Sequence, residues 1–180
     1  YVHDKPADGY TLLYHAENPQ QYKVFGLSDL DYDNFEIISV LAKSSAVVVV
    51  GKDSPFNTID DLLNYAKKNQ GKLNFGADGV GSMPFNCAAL FSTAENVDFN
   101  FVTYDGEGSI ITAIIGNQVE ASAIGIGSAA QYIKSGYLKP LCIMANEPVD
   151  EFPDVPVLGQ IKPEYNKSLE AWGAFFAVAV

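Results

Sequence analysis

The sequence predicts an α/β protein in which strands and helices alternate, and three observations carry that prediction. Short apolar runs rich in Val and Ile stand between turn signals, as strands do. Between them lie segments with helical apolar spacing and cap residues at their starts. Glycine-bearing loops fall where a strand would hand over to a helix.

Taken in order, residues 10–14 follow the turn signal Pro6-Ala7-Asp8-Gly9 and read as a strand. Residues 18–33 are mixed and aromatic, a loop with a little helix. Residues 35–43 and 46–51 are β-branched and apolar and suit strands buried in a sheet. The next segment is a helix capped by Thr58, with Asp60 and Asp61 in its first turn and Lys67 and Lys68 near its end. Its Ile59, Leu62, Leu63 and Ala66 share one face at 3.6 spacing. A strand over 72–75 and the loop 76–81 lead into a helix that Ser82 opens and that runs to about Ala94. Strands over 99–102, 119–124 and 139–144 then alternate with helices over 108–115 and 129–135, and 169–180 closes with an aromatic strand signal. This rhythm implies parallel pairing with right-handed crossovers, and ligands in such sheets bind beyond the carboxyl ends of the strands.

Composition narrows the function classes. Against 22 Asp plus Glu there are 11 Lys plus Arg, a net charge of −11. That argues against nucleic acid and against an anionic membrane surface as partners. The hydrophobic fraction of 48% over 180 residues is ordinary for a globular core. The longest apolar run, residues 46–50, is far too short to span a membrane, so no membrane insertion is expected of this stretch. The chain begins at Tyr1 rather than Met and reads as a piece of a longer one. Cys87 and Cys142 have no metal spacing; they read as two buried thiols, with a single disulfide as the alternative.

Three strand-to-helix loops could carry chemistry. In Gly76-Ala77-Asp78-Gly79-Val80-Gly81-Ser82 the glycines let a ligand approach the backbone, and the N–H groups of the helix start point outward. Ser82 either caps the helix or offers its hydroxyl to a ligand. The spacing is that of neither a dinucleotide fingerprint, a P-loop nor a nucleophile elbow, and Pro84 removes one donor from the first turn. The second loop holds Thr103, Tyr104, Asp105 and Gly106 and then Glu107, which at a helix start complements the dipole. The third, beginning at Gly125, either lends backbone donors to the same cleft or is a packing turn. Arginine is absent, so a carboxylate would be held by backbone N–H groups, hydroxyls, water or lysine. The only histidines are His3 and His15, neither beside a convincing nucleophile; no catalytic set, metal site or cofactor follows.

The order of short motifs is informative. Asp8-Gly9-Tyr10-Thr11-Leu12-Leu13 comes first, then Tyr32-Asp33 with Phe35, then Lys72-Leu73-Asn74-Phe75-Gly76 leading into Gly79-Val80-Gly81-Ser82. Val102-Thr103-Tyr104-Asp105-Gly106, Ile114-Ile115-Gly116-Asn117-Gln118-Val119 and Ile133-Lys134-Ser135-Gly136-Tyr137-Leu138-Lys139 follow. Phe152-Pro153-Asp154-Val155-Pro156-Val157 and Trp172 complete the set. The succession resembles the receptors of the tripartite tricarboxylate transporter family, the Bug or TctC-type solute-binding proteins.

The resemblance implies a type II periplasmic-binding fold of the Venus-flytrap kind, two α/β lobes joined by hinge strands. It implies residues 1–50 in one lobe, 51–142 in the other and 143–180 returning to the first. It implies a small-molecule ligand, a carboxylate or amino acid, held in the cleft between the lobes by loops and bridging waters. Carried over by position, Val80, Gly81, Ser82, Thr103, Tyr104 and Gly106 would line it, and the reading of the same three loops adds Asp78, Asp105 and Gly125. Tyr14, His15, Ala16 and Glu17 would face it from the opposite lobe. The partners implied are the membrane subunits of a transporter, and the location is periplasmic, with lipid anchoring of the full-length protein left open.

Against the family pattern, Phe85 replaces a frequent histidine, Asp105 stands where a basic residue is common and Ile124 where an aspartate is common. A glycine-rich first segment would lie before Tyr1 and a tail beyond the Trp172 strand. The rival readings are the effector domain of a regulator with the same fold, and an α/β enzyme.

Overall fold

A computed structural model describes residues 1–16, 19–170 and 174–180; Glu17, Asn18 and Trp172, named above, lie outside the described residues. In chain order the first elements are β1 (Leu13–His15), α1 (Pro19–Tyr22), β2 (Ile37–Ser44), β3 (Ala46–Gly51), α2 (Ile59–Lys68) and β4 (Leu73–Ala77). Then come α3 (Met83–Glu95), β5 (Phe99–Thr103), α4 (Glu107–Ile115), β6 (Ala121–Gly125), α5 (Ile126–Lys134) and β7 (Leu138–Ile143). Two short helices, α6 (Leu158–Ile161) and α7 (Asn166–Glu170), precede the last strand, β8 (Ala174–Ala179). The chain forms two compact units, Tyr1–Ser44 with Gly173–Val180, and Ser45–Trp172. The second unit includes residues 45–50 and 143–170.

The first unit is built on an antiparallel sheet of order β1-β8-β2. The strand expected over 10–14 starts only at Leu13, because Asp8 turns the chain by accepting the Tyr10 N–H at 3.0 Å. The predicted burial of the second strand does not hold: Ile38 is 57% and Leu41 59% exposed. Among the described residues β2 lies at the edge of a three-stranded sheet and pairs with β8 alone. Its β-branched residues favour extended backbone, whereas burial needs another layer. The aromatic close of the chain is part helix, since 166–170 form α7 before β8 begins.

In the second unit the strand order is β5-β4-β6-β3-β7. β4 is parallel to β5 and β6, as the alternating pattern predicts. β3 is antiparallel to both β6 and β7, which corrects the expectation of uniform parallel pairing. β3 follows β2 after Ser45 alone and the two lie in different sheets, so no strand–helix crossover leads into β3 and the alternating rhythm does not govern its direction.

All six residues of β3 are buried, and its side chains alternate between two core layers. Val48 and Val50 meet Leu62, Leu63, Phe75 and Phe91 on one face. Val47 and Val49 meet Ile110, Ile114, Ile124 and Ile126 on the other. A sheet covered on both sides explains the near-continuous apolar strands. Gly76 permits the close packing of α4 on β4: a Cβ there would stand 2.7 Å from Ile110 Cγ2. Cys87 and Cys142 are free and fully buried in the first of these layers, and burial pushes both thiols up.

The helix over 59–68 forms as its sequence predicts. Thr58 Oγ1 accepts the Asp61 N–H at 3.1 Å, and the Asp61 carboxylate accepts the N–H of Thr58 at 2.9 Å. At the far end of α3, Glu95 accepts from Lys67 at 2.6 Å, Tyr165 at 3.0 Å and Lys162 at 3.1 Å. This cluster ties α2 and α3 to the chain after α6. Among the described residues, no helix is long and apolar enough to cross a membrane.

Candidate functional site

Because β4, β5 and β6 run parallel, their carboxyl ends share one edge of the second sheet, and α3, α4 and α5 all begin there. The first loop leaves β4 at Ala77. Asp78 is exposed, Val80 is 59% exposed and Gly81 is buried. Gly79 (φ +113°) and Gly81 (φ +82°) adopt left-handed backbone that a side chain would strain. Ser82 is the N-cap of α3: its Oγ donates to Gly79 O at 2.7 Å and accepts the Phe85 N–H at 3.4 Å. Its hydroxyl therefore holds the loop shut on the helix, and a ligand would compete with Gly79 for that proton.

The second loop is registered against the first. The Tyr104 N–H donates to Ala77 O at 2.9 Å, and the Tyr104 side chain packs against the Val47 layer. Thr103 and Asp105 are exposed. Gly106 (φ +148°) precedes α4 without a side-chain cap, and its carbonyl accepts the N–H groups of Ser109 and Ile110. The N–H groups ahead of these point out of the helix end toward the edge.

Gly125 is where the geometry departs from a simple donor. Its N–H donates to Glu107 Oε1 at 2.7 Å. The carboxylate lies so close to its Cα that an added Cβ would stand 3.1 Å from Oε1 and 3.4 Å from Oε2. The next donor, Ile126 N–H, goes to Ser45 O at 3.0 Å. The first two donors at the start of α5 are thus taken from within. Sequence reading assigned Glu107 to the dipole of its own helix and missed this contact. No local signal announces it, because it arises from α4 lying over β4, which brings Glu107 beside the end of β6. The packing of Phe85 on Phe101, with ring centroids 5.0 Å apart, was missed for the same reason. So was buried Ser122, whose hydroxyl donates to Gly76 O at 2.7 Å.

The remaining predicted residues belong to the first unit. Tyr14 is 64% exposed and stacks on Phe176 at 6.0 Å. His15 is largely buried; its Nδ1 lies 2.6 Å from Ala16 O and its ring 5.5 Å from that of Tyr32. Ala16 O also accepts from the Tyr32 hydroxyl at 3.5 Å. His15 lines a cavity of about 250 Å³ together with Val2, Leu13, Tyr22, Leu30 and Phe35. In the second unit a cavity of about 220 Å³, lined by Gly51, Asp53, Phe56, Tyr65, Asn117 and Glu120, sits at the opposite edge of the sheet and shares none of the predicted residues.

Comparison with known proteins agrees with this architecture. The family described as "Tripartite tricarboxylate transporter family receptor" matches residues 2–179. Protein BugT of Bordetella pertussis is 26% identical over 176 residues, 95% of this chain and 53% of BugT. The chain spans about half the length of the curated relatives it matches. Among solved structures, periplasmic binding protein BugD superposes with a TM-score of 0.86 at 23% identity, covering 99% of this chain and 59% of that one. MatC from Rhodopseudomonas palustris, solved with bound malate, has a TM-score of 0.86 at 22% identity, covering 99% of this chain and 60% of that one. The fold is that of a periplasmic binding protein of this type.

Proposed function

Because this chain belongs to the receptor family of tripartite tricarboxylate transporters, we propose that it captures a small organic carboxylate for such a transporter. The observation that carries the proposal is the shared edge where three strands end and three helices begin. There the loops 78–82 and 103–106 present backbone N–H groups, the Thr103 hydroxyl and glycines that let a ligand approach closely. Such donors hold a carboxylate without arginine, of which this chain has none. The malate bound to MatC supports the same ligand class. The segment 14–17 is proposed as ligand-contacting on the strength of the family resemblance.

The family and the solved neighbours are receptors and binding proteins rather than enzymes, and we read the role of this chain as capture without turnover. Its partners are then the membrane subunits of the transporter, and its place is the periplasm.

Thermal melts of the chain with a panel of small carboxylates and amino acids test this reading. A ligand at a hundred times its Kd adds about 2.7 kcal/mol of stability, which raises the Tm by several degrees. Absence of any shift across the panel would overturn it.

A further inference from the structure

We infer that the first unit holds a second binding site, the cavity beside β1, and that it takes an uncharged molecule with one aromatic ring. This cavity belongs to a different unit from the carboxylate edge, and the inference stands whether or not that edge binds a carboxylate.

The cavity has a volume of about 250 Å³ and is lined wholly by residues of the first unit. Strand β1 supplies one side of it. Leu13 and His15 share one face of that strand, where β8 opposes them with nothing larger than Ala179 and Ala177. Tyr22, Leu30 and Phe35 supply the other walls. The Leu30 N–H donates to Ser28 Oγ at 3.1 Å, and the Phe35 N–H to Tyr32 O at 3.1 Å, so the backbone holds both walls in place. The His3 ring stands edge-on to that of Phe35, with centroids 6.1 Å apart. An apolar cavity of about 150 Å³ already holds a benzene ring, so this one has room for a ring and a substituent.

The chemistry of the walls selects the occupant. Among the described residues no Asp, Glu or Lys lines the cavity, in a chain of net charge −11. The terminal ammonium of Tyr1, at its rim, pairs with Asp4 at 3.8 Å. A charged guest would give up its hydration here and meet no carboxylate or lysine in return. The rings of Tyr22 and Phe35 and the imidazoles of His3 and His15 instead suit a flat π-system, which packs on aromatic edges and faces. Ser28 Oγ accepts the Leu30 N–H, so its hydroxyl proton is the part that can donate to an oxygen on the guest. Phenol has this size and chemistry and serves as the probe.

His3 and His15 are the only histidines in the chain, and both line the cavity. Their imidazole C–H proton resonances therefore report on it directly. Proton NMR at about pH 8, where imidazole is ordinarily neutral, should show both histidines shifting saturably as phenol is added. Cyclohexanol keeps the hydroxyl and lacks the π-system, and should bind roughly two- to tenfold more weakly. Leu30→Trp fills the cavity and should weaken phenol binding roughly tenfold or more. Leu13→Phe fills it from β1 and replaces Leu30→Trp if that variant folds poorly. Phenol that leaves both histidines unshifted, or that shifts them as before when the cavity is filled, would overturn the inference. Equal binding of cyclohexanol would overturn the aromatic preference. Displacement of phenol by butyrate would make this cavity part of the carboxylate site and overturn its independence. None of these results touches the carboxylate reading, which calorimetric titration of the unaltered chain with butyrate decides.

Discussion

The phenolic hydroxyl of Tyr165 donates to the carboxylate of Glu95 across 3.0 Å, joining the end of α3 to the turn before α7. Partial burial alone would raise the Glu95 pKa. The hydrogen bonds from Lys67, Lys162 and Tyr165 overcome it and hold the carboxyl at about 2, against an ordinary value of 4.5. A carboxylate depressed in the folded state stabilises fully above its unfolded pKa. That contribution is lost as pH falls from about 4.5 to about 2. Urea unfolding at stepped pH should therefore show stability falling across this window. Glu95→Gln should flatten that fall and lower stability at neutral pH by about 1–3 kcal/mol. An unchanged pH slope in the variant would contradict the assignment.

Gly76→Ala should destabilise the second unit through a steric clash. The new methyl would stand 2.7 Å from Ile110 Cγ2, against fully buried surroundings. Overpacking of this kind costs about 1–3 kcal/mol. Ile110→Ala, which removes Cγ2, should also destabilise on its own, yet the double variant should be more stable than the two losses summed. Simple additivity in chemical denaturation would show that the two residues do not press on each other.

Ser82→Ala removes both the cap of α3 and the bond to Gly79 O. Loss of such a cap costs about 1 kcal/mol. With Gly79 released, the loop 78–82 should loosen. Carboxylate affinity measured by calorimetry should then fall several-fold. Full affinity alongside the stability loss would assign Ser82 to the helix alone.

Cys87 and Cys142 should resist thiol reagents in the native protein. Both are fully buried, and burial raises both thiols, so little thiolate forms at neutral pH. An aromatic disulfide reagent should release no chromophore from folded protein and two equivalents per chain in denaturant, matching the two cysteines. Rapid labelling without denaturant would mean that this core layer opens.

What could be read along the chain was what local chemistry decides. Thr58 caps α2, Ser82 caps α3, and the apolar face of Ile59, Leu62, Leu63 and Ala66 is buried as its spacing requires. The loops after β4 and β5 fall beyond parallel strands, as the alternation of strand and helix predicts. Each of these depends on residues within a few positions of one another.

By itself, then, the sequence determined the α/β class, most of the strands and helices, and the loops on which ligand chemistry can sit. Only the tertiary structure decided that β3 runs against its neighbours, that the apolar β2 is exposed, and that Glu107 reaches Gly125, eighteen positions along the chain. The reason is physical. Periodicity and capping act over one or two turns, whereas strand direction, burial and a side chain's partner depend on which distant segments pack together.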